Sequence, residues 1–100
     1  MLYHGIDIPQ DRLAGICRRY DVKQLSLFGS ILTNRFGPES DVDMVVEFLP
    51  DARIGLFEMS AMEEELSALL GRKVDLRTPA ELSRYFRDRV MHGAVLQYAA

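Results

Sequence analysis

The chain has 100 residues, 48% of them apolar and 27% charged, and 12 Lys and Arg against 15 Asp and Glu leave a net charge of −3. That length predicts one domain, residues 1–100, able to bury a core without disulfide or metal staples, and the acidic balance argues against a nucleic-acid carrier, which shows a basic stripe. No apolar run approaches the ~20 residues that cross a bilayer, "MLYHGIDIPQ" lacks the parts of a signal peptide, and a lone cysteine, Cys17, fits a reduced cytoplasm.

Taken in chain order, Pro9 opens an amphipathic helix over 9–20, with Leu13, Ile16, Cys17 and Tyr20 on one face. "VKQLSLF" (22–28) alternates imperfectly and is expected to be a strand. After Gly29, "SILTNRF" is expected to form a short helix before the turn "GPES" (37–40). "DVDMVVEF" (41–48) alternates cleanly: Val42, Met44, Val46 and Phe48 on one face, Asp41, Asp43, Val45 and Glu47 on the other.

Residues 55–70 read as a helix with Leu56, Met59, Met62, Leu66 and Leu69 on its apolar stripe, closed by Gly71. Glu63 to Glu65 reads as its wet face. "KVDLR" (73–77) is a short strand with Asp75 between Val74 and Leu76. "TPAE" then has Thr78 as N-cap, Pro79 at N1 and Glu81 at N3, a capping box. It predicts a helix through Leu82, Phe86, Val90, Ala94 and Tyr98 to the end, on which "RYFRDR" (84–89) is a solvated face. Met44, Met59, Met62, Phe86 and Tyr98 are expected in the core. The fold class is α+β (α/β): a small mixed sheet of three or four strands flanked by helices.

Three carboxylates stand apart from this frame. Asp41 and Asp43 share one strand face, their Cα atoms ~6.6 Å apart by strand rise. Asp75 sits between apolar neighbours on a second strand, so all three converge if the strands are neighbours. Such carboxylates repel; at ~5 Å and an effective dielectric of ~20 the cost is about 3 kcal/mol, relieved by a shared proton or a cation. Oxygen ligands suit Mg²⁺, with Mn²⁺ as the alternative, and Mg²⁺ takes its remaining ligands from water and substrate phosphates. Gly29 and Ser30 supply the complement. A glycine after a strand lets backbone approach a ligand, and N–H groups opening a helix hold anions. Together these residues point to phosphoryl or nucleotidyl transfer.

Gly29-Ser30, then residues 31–40, then Asp41-x-Asp43 resembles the GS-x10-DxD signature of the polymerase-β-like nucleotidyltransferases. The likeness is strongest to the minimal nucleotidyltransferase (MNT) antitoxins: "VDLRTPAEL" is similar to the segment carrying their third carboxylate, and "RDRVMHGAVLQY" to their closing helix. It spans about residues 9–98. The resemblance implies a nucleotidyltransferase fold in which Gly29 and Ser30 hold the triphosphate of ATP. It further implies that Asp41 and Asp43 bind Mg²⁺ and that Asp75 completes the metal site and helps deprotonate the attacking hydroxyl. It implies a HEPN-domain RNase toxin as partner, silenced by transfer of AMP from ATP to a tyrosine. The chain departs from the family at "SILTN", which lacks the usual arginine and has Asn34 in place of glycine; Arg35 is the nearby substitute. Two other functions compete: neutralisation of the toxin by binding alone, and nucleotidyl transfer to RNA or a small molecule. For contact with the partner the candidate face is that of Tyr85, Phe86 and Met91.

Overall fold

A computed structural model describes residues 2–100. The chain begins with a hairpin of two short strands, β1 (Leu2–Tyr3) and β2 (Ile6–Asp7), paired antiparallel. His4 and Gly5 between them have φ of 53° and 81°, the left-handed pair that a tight hairpin turn requires. Nothing in the apolar pattern announces strands this short.

Helix α1 (Gln10–Arg19) has Asp11 in its first turn and Arg18 and Arg19 in its last, charges that complement the helix dipole. Strand β3 (Val22–Phe28) buries Val22, Leu25 and Leu27. Its uneven alternation has a physical cause: the register against the neighbouring strand slips between Val22 and Gln24, an irregularity that turns both Val22 and Leu25 inward. The expected short helix is one 3-10 turn, Gly29–Leu32.

Strand β4 (Val42–Phe48) buries Val42, Met44 and Val46 completely. Helix α2 (Leu56–Leu70) starts where Glu58 Oε1 accepts the Gly55 N–H at 2.8 Å, and ends on Gly71 at φ 69°. Its buried stripe is Met62, Leu66 and Leu70, with Met59 and Leu69 packed partly against the core, whereas Leu56 is exposed. Leu56 is the first helical residue after the N-cap, Gly55, and the buried stripe begins only at Met62. Strand β5 (Val74–Arg77) follows.

The expected long C-terminal helix does not form. Glu81 Oε1 does accept the Thr78 N–H at 2.8 Å, so the capping box is real, but it starts only a 3-10 turn, Pro79–Glu81. Leu82 is extended and buried. Arg87 donates to the carbonyls of Pro79 at 2.7 Å and Leu82 at 2.9 Å, taking acceptors that a continuing helix would have used. A shorter helix, α3 (Arg87–Gly93), and then strand β6 (Val95–Ala99) complete the chain. Tyr98 packs on the core, but from a strand, while Phe86 is 50% exposed. The tertiary reason is the edge of β3 away from β4, whose backbone groups find their partners in β6.

The sheet order is β5-β4-β3-β6, with β4 and β5 parallel and the other pairs antiparallel. This is the expected mixed sheet, with four strands. Helices α1 and α2 cover one face, where Leu13, Ile16, Cys17, Leu25, Leu27, Met44, Met62 and Leu66 form the core. Burial pushes the Cys17 thiol up to about 12, so it sits as a small apolar side chain. Among the described residues no helix is long and apolar enough to cross a membrane.

Two residues of the supposed wet face of α2 have structural partners. Glu65 receives Arg19 of α1 and Tyr20, the residue that caps it. Glu63 Oε2 accepts the Leu76 N–H at 2.8 Å, and Ser67 Oγ the Val74 N–H at 2.9 Å. Strand β5 has a sheet neighbour on one side only, so these donors point away from β4, and α2 side chains satisfy them.

Candidate active site

The candidate site lies on the side chains of β4 that point away from the core. Asp43 of β4 and Asp75 of β5 are direct Cα partners in the parallel register, and Phe28 is the partner of Asp43 on the other side. The expected juxtaposition of Asp43 and Asp75 is therefore present. Both are half-buried. They line an open cleft of about 540 Å³ with Phe28, Arg77, Leu82 and Phe86.

Gly29 meets Asp43 directly. Its φ is 79°, and a Cβ there would run into Asp43 Oδ2 and stand 3.3 Å from Cγ. The glycine is required twice, for its left-handed backbone and for the space the carboxylate occupies. Ser30 follows, half-buried in the 3-10 turn; its carbonyl accepts both the N–H of Thr33 at 2.9 Å and its hydroxyl at 2.8 Å.

Asp41 lies just before β4. Its Oδ2 is 3.9 Å from Lys73 Nζ, and the next residue donates its N–H to the Lys73 carbonyl at 2.8 Å. Among the described residues no three of His, Cys, Asp and Glu gather as a group that could hold a metal ion, and Asp41, expected to converge with Asp43 and Asp75, does not line their cleft. The donor set nevertheless suits a hard cation that completes its shell with substrate oxygens: facing carboxylates, one against a bare glycine backbone.

Electrostatics mark the same place. The Asp43 carboxyl is held above its ordinary range, first by burial, then by the charges of Asp75 and Asp41, while Arg77 pulls it back. Like charges gathered in a half-buried cleft raise a pKa in this way, and such perturbation is typical of functional sites.

The segment between Ser30 and Asp41 is pinned at both ends. His4 Nε2 is 3.0 Å from the Ile31 carbonyl oxygen. Arg72 donates to the carbonyls of Gly37 at 2.8 Å, Pro38 at 3.4 Å and Ser40 at 2.6 Å. Phe36 lies between them, its ring 4.9 Å from that of His4 and 4.6 Å from the Arg72 guanidinium.

Sequence reasoning missed Arg77, which donates to Asp75 Oδ2 from Nε at 3.3 Å and Nη2 at 3.2 Å. Arg35, the expected substitute arginine, is exposed and does not line the cleft. The signal for Arg77 was available: two residues beyond Asp75 on one strand is the same face.

The sequence matches the nucleotidyltransferase domain family over residues 11–96. It is 31% identical to a proposed protein adenylyltransferase of Methanocaldococcus jannaschii, over 84% of this chain and 88% of that one. It is 32% identical to the protein adenylyltransferase MntA of Thermococcus cleftensis, over 77% of this chain and 76% of that one. The fold is that of a toxin–antitoxin crystal structure with AMP-PNP (TM-score 0.70, 18% identity, 93% of this chain, 75% of that one). It is also that of an MNT antitoxin complexed with the tri-AMPylated HEPN toxin of Shewanella oneidensis (TM-score 0.62, 18% identity, 91% of this chain, 70% of that one). With its paired carboxylates and glycine turn on this fold, the chain belongs to the nucleotidyltransferase domain family, among relatives that are protein adenylyltransferases.

Proposed function

We propose that this chain is an antitoxin that transfers AMP from ATP to a tyrosine hydroxyl of a HEPN-domain toxin, with Mg²⁺ as cofactor. The observation that carries the reading is the register of Asp43 against Asp75 beside the bare backbone of Gly29. Gly29 and Ser30 bind the triphosphate, and Asp41, Asp43 and Asp75 hold the metal. When bound, Mg²⁺ neutralises the carboxylates and stabilises charge on the phosphates. The tyrosine oxygen attacks the α-phosphorus, the bond to pyrophosphate breaks, and Asp75 takes the hydroxyl proton.

The acceptor is macromolecular. Exposed Phe86 stands at the cleft wall and Tyr85 is more exposed still, an apolar patch suited to a protein surface next to the reacting groups. No transfer to nucleic acid is expected, given the net charge of −3. The departure at "SILTN", with Asn34 where glycine is usual and no arginine at its usual place, supports one second reading, neutralisation by occlusion alone.

Incubation of the co-purified toxin with ATP and Mg²⁺, followed by intact mass, separates the two. Whole AMP units gained on the partner, and lost with Asp43→Ala, establish transfer. A complex that blocks the toxin with no mass gain leaves occlusion.

A further inference from the structure

Arg77 does not fit a site that merely awaits a cation. Its Nε and Nη2 both donate to Asp75 Oδ2, and it lines the same cleft as Asp43. A guanidinium on that oxygen already supplies positive charge where the reading above needs a divalent ion. The two cations compete for one carboxylate oxygen, and their like charges repel. The Arg77 side chain is 48% exposed. Its side-chain hydrogen bonds go to Asp75, at the long end of the hydrogen-bond range, so little holds it there.

A triphosphate changes the balance. An arginine fork binds phosphate oxygens at least as well as a carboxylate, with two parallel N–H donors. A nucleotide entering the cleft therefore offers the guanidinium a new partner as it exposes Asp75.

Resting on the nucleotidyltransferase reading, we propose that Arg77 is an exchangeable counter-ion that closes Asp75 in the free protein and moves to the phosphates of the incoming nucleotide. The exchange couples the two ligands. Metal alone meets an occupied carboxylate, nucleotide alone gains an arginine, and each prepares the site for the other.

The test measures binding, not turnover. Free Mn²⁺ is followed by electron paramagnetic resonance without nucleotide, and AMP-PNP by calorimetry in EDTA, for the native chain and Arg77→Ala. Asp75→Asn and the double variant complete a cycle, and circular dichroism checks that each is folded. Arg77→Ala is expected to tighten Mn²⁺ about fivefold or more and weaken AMP-PNP by about the same factor; in the Asp75→Asn background the Mn²⁺ gain disappears. Unchanged Mn²⁺ and AMP-PNP affinities in Arg77→Ala, with a native chain that binds both, would overturn the exchange and leave the site reading standing. A Mn²⁺ gain that persists without Asp75 would also overturn it, since general repulsion would then suffice. A native chain that binds neither ligand would remove both.

Discussion

Gly29 and Asp43 occupy one another's space: the carboxylate of Asp43 fills the position that a side chain at residue 29 would take. Gly29→Ala therefore forces a left-handed backbone on a residue with a Cβ and displaces the carboxylate. The expected loss of stability is about 1–3 kcal/mol. Transfer of AMP should fall about 100-fold, since small misplacements of a reacting group cost that much. Urea unfolding and intact mass of the partner give the two numbers, and a variant that is stable and fully active would contradict the contact.

Asp43 costs the free protein stability at neutral pH. Burial first, then Asp75 and Asp41, raise its pKa above the ordinary 3.8. Between that value and the raised one, the native state holds a proton that the unfolded chain has lost, so stability falls as pH rises through the window. Above the window the penalty is complete; below 3.8 it vanishes. Asp43→Asn is expected to raise the melting temperature at pH 7 without metal, and to match the native chain at pH 3. Mg²⁺ should stabilise the native chain and leave the variant unmoved. Calorimetry across pH, with and without Mg²⁺, checks each sign.

Arg72 holds the turn that delivers Asp41. Its bonds to the carbonyls of Gly37, Pro38 and Ser40 and its contact with Phe36 are all lost in Arg72→Ala. A loss of about 2–3 kcal/mol is expected. Arg72→Lys should recover only part of it, because an ammonium lacks the planar fork. Thermal unfolding of both variants decides the point.

Glu63 reaches the site through the backbone of β5. Removing its carboxylate leaves the Leu76 N–H without its acceptor, next to Asp75. Glu63→Ala is expected to cost about 1–3 kcal/mol, and Glu63→Gln, which keeps an acceptor oxygen, much less. Hydrogen exchange at Leu76 should quicken in the first variant and stay slow in the second.

Much of this architecture is legible in the chain itself. The alternation of "DVDMVVEF" places Asp43 opposite the core, and Gly71 closes α2 as expected. The capping box at Thr78 and Glu81 is also correctly signalled, yet a cap starts a helix without lengthening it. What followed depended on Leu82 entering a buried position and on β3 lacking a second partner, both outside the reach of a local pattern. Leu56 erred the other way: it has the right spacing for the apolar stripe but, as the first helical residue, is left exposed.

By itself the sequence determined on which face of its own strand Asp43 and Asp75 would each stand, because side-chain direction follows from backbone period alone. Tertiary structure decided that β5 runs parallel beside β4 with Asp75 level with Asp43, that Gly29 backs onto the same carboxylate, and that Arg77 and Glu63 attend Asp75 and its strand. Strand pairing joins segments separated by a whole helix, and its register is set by the summed burial of both strands rather than by either one.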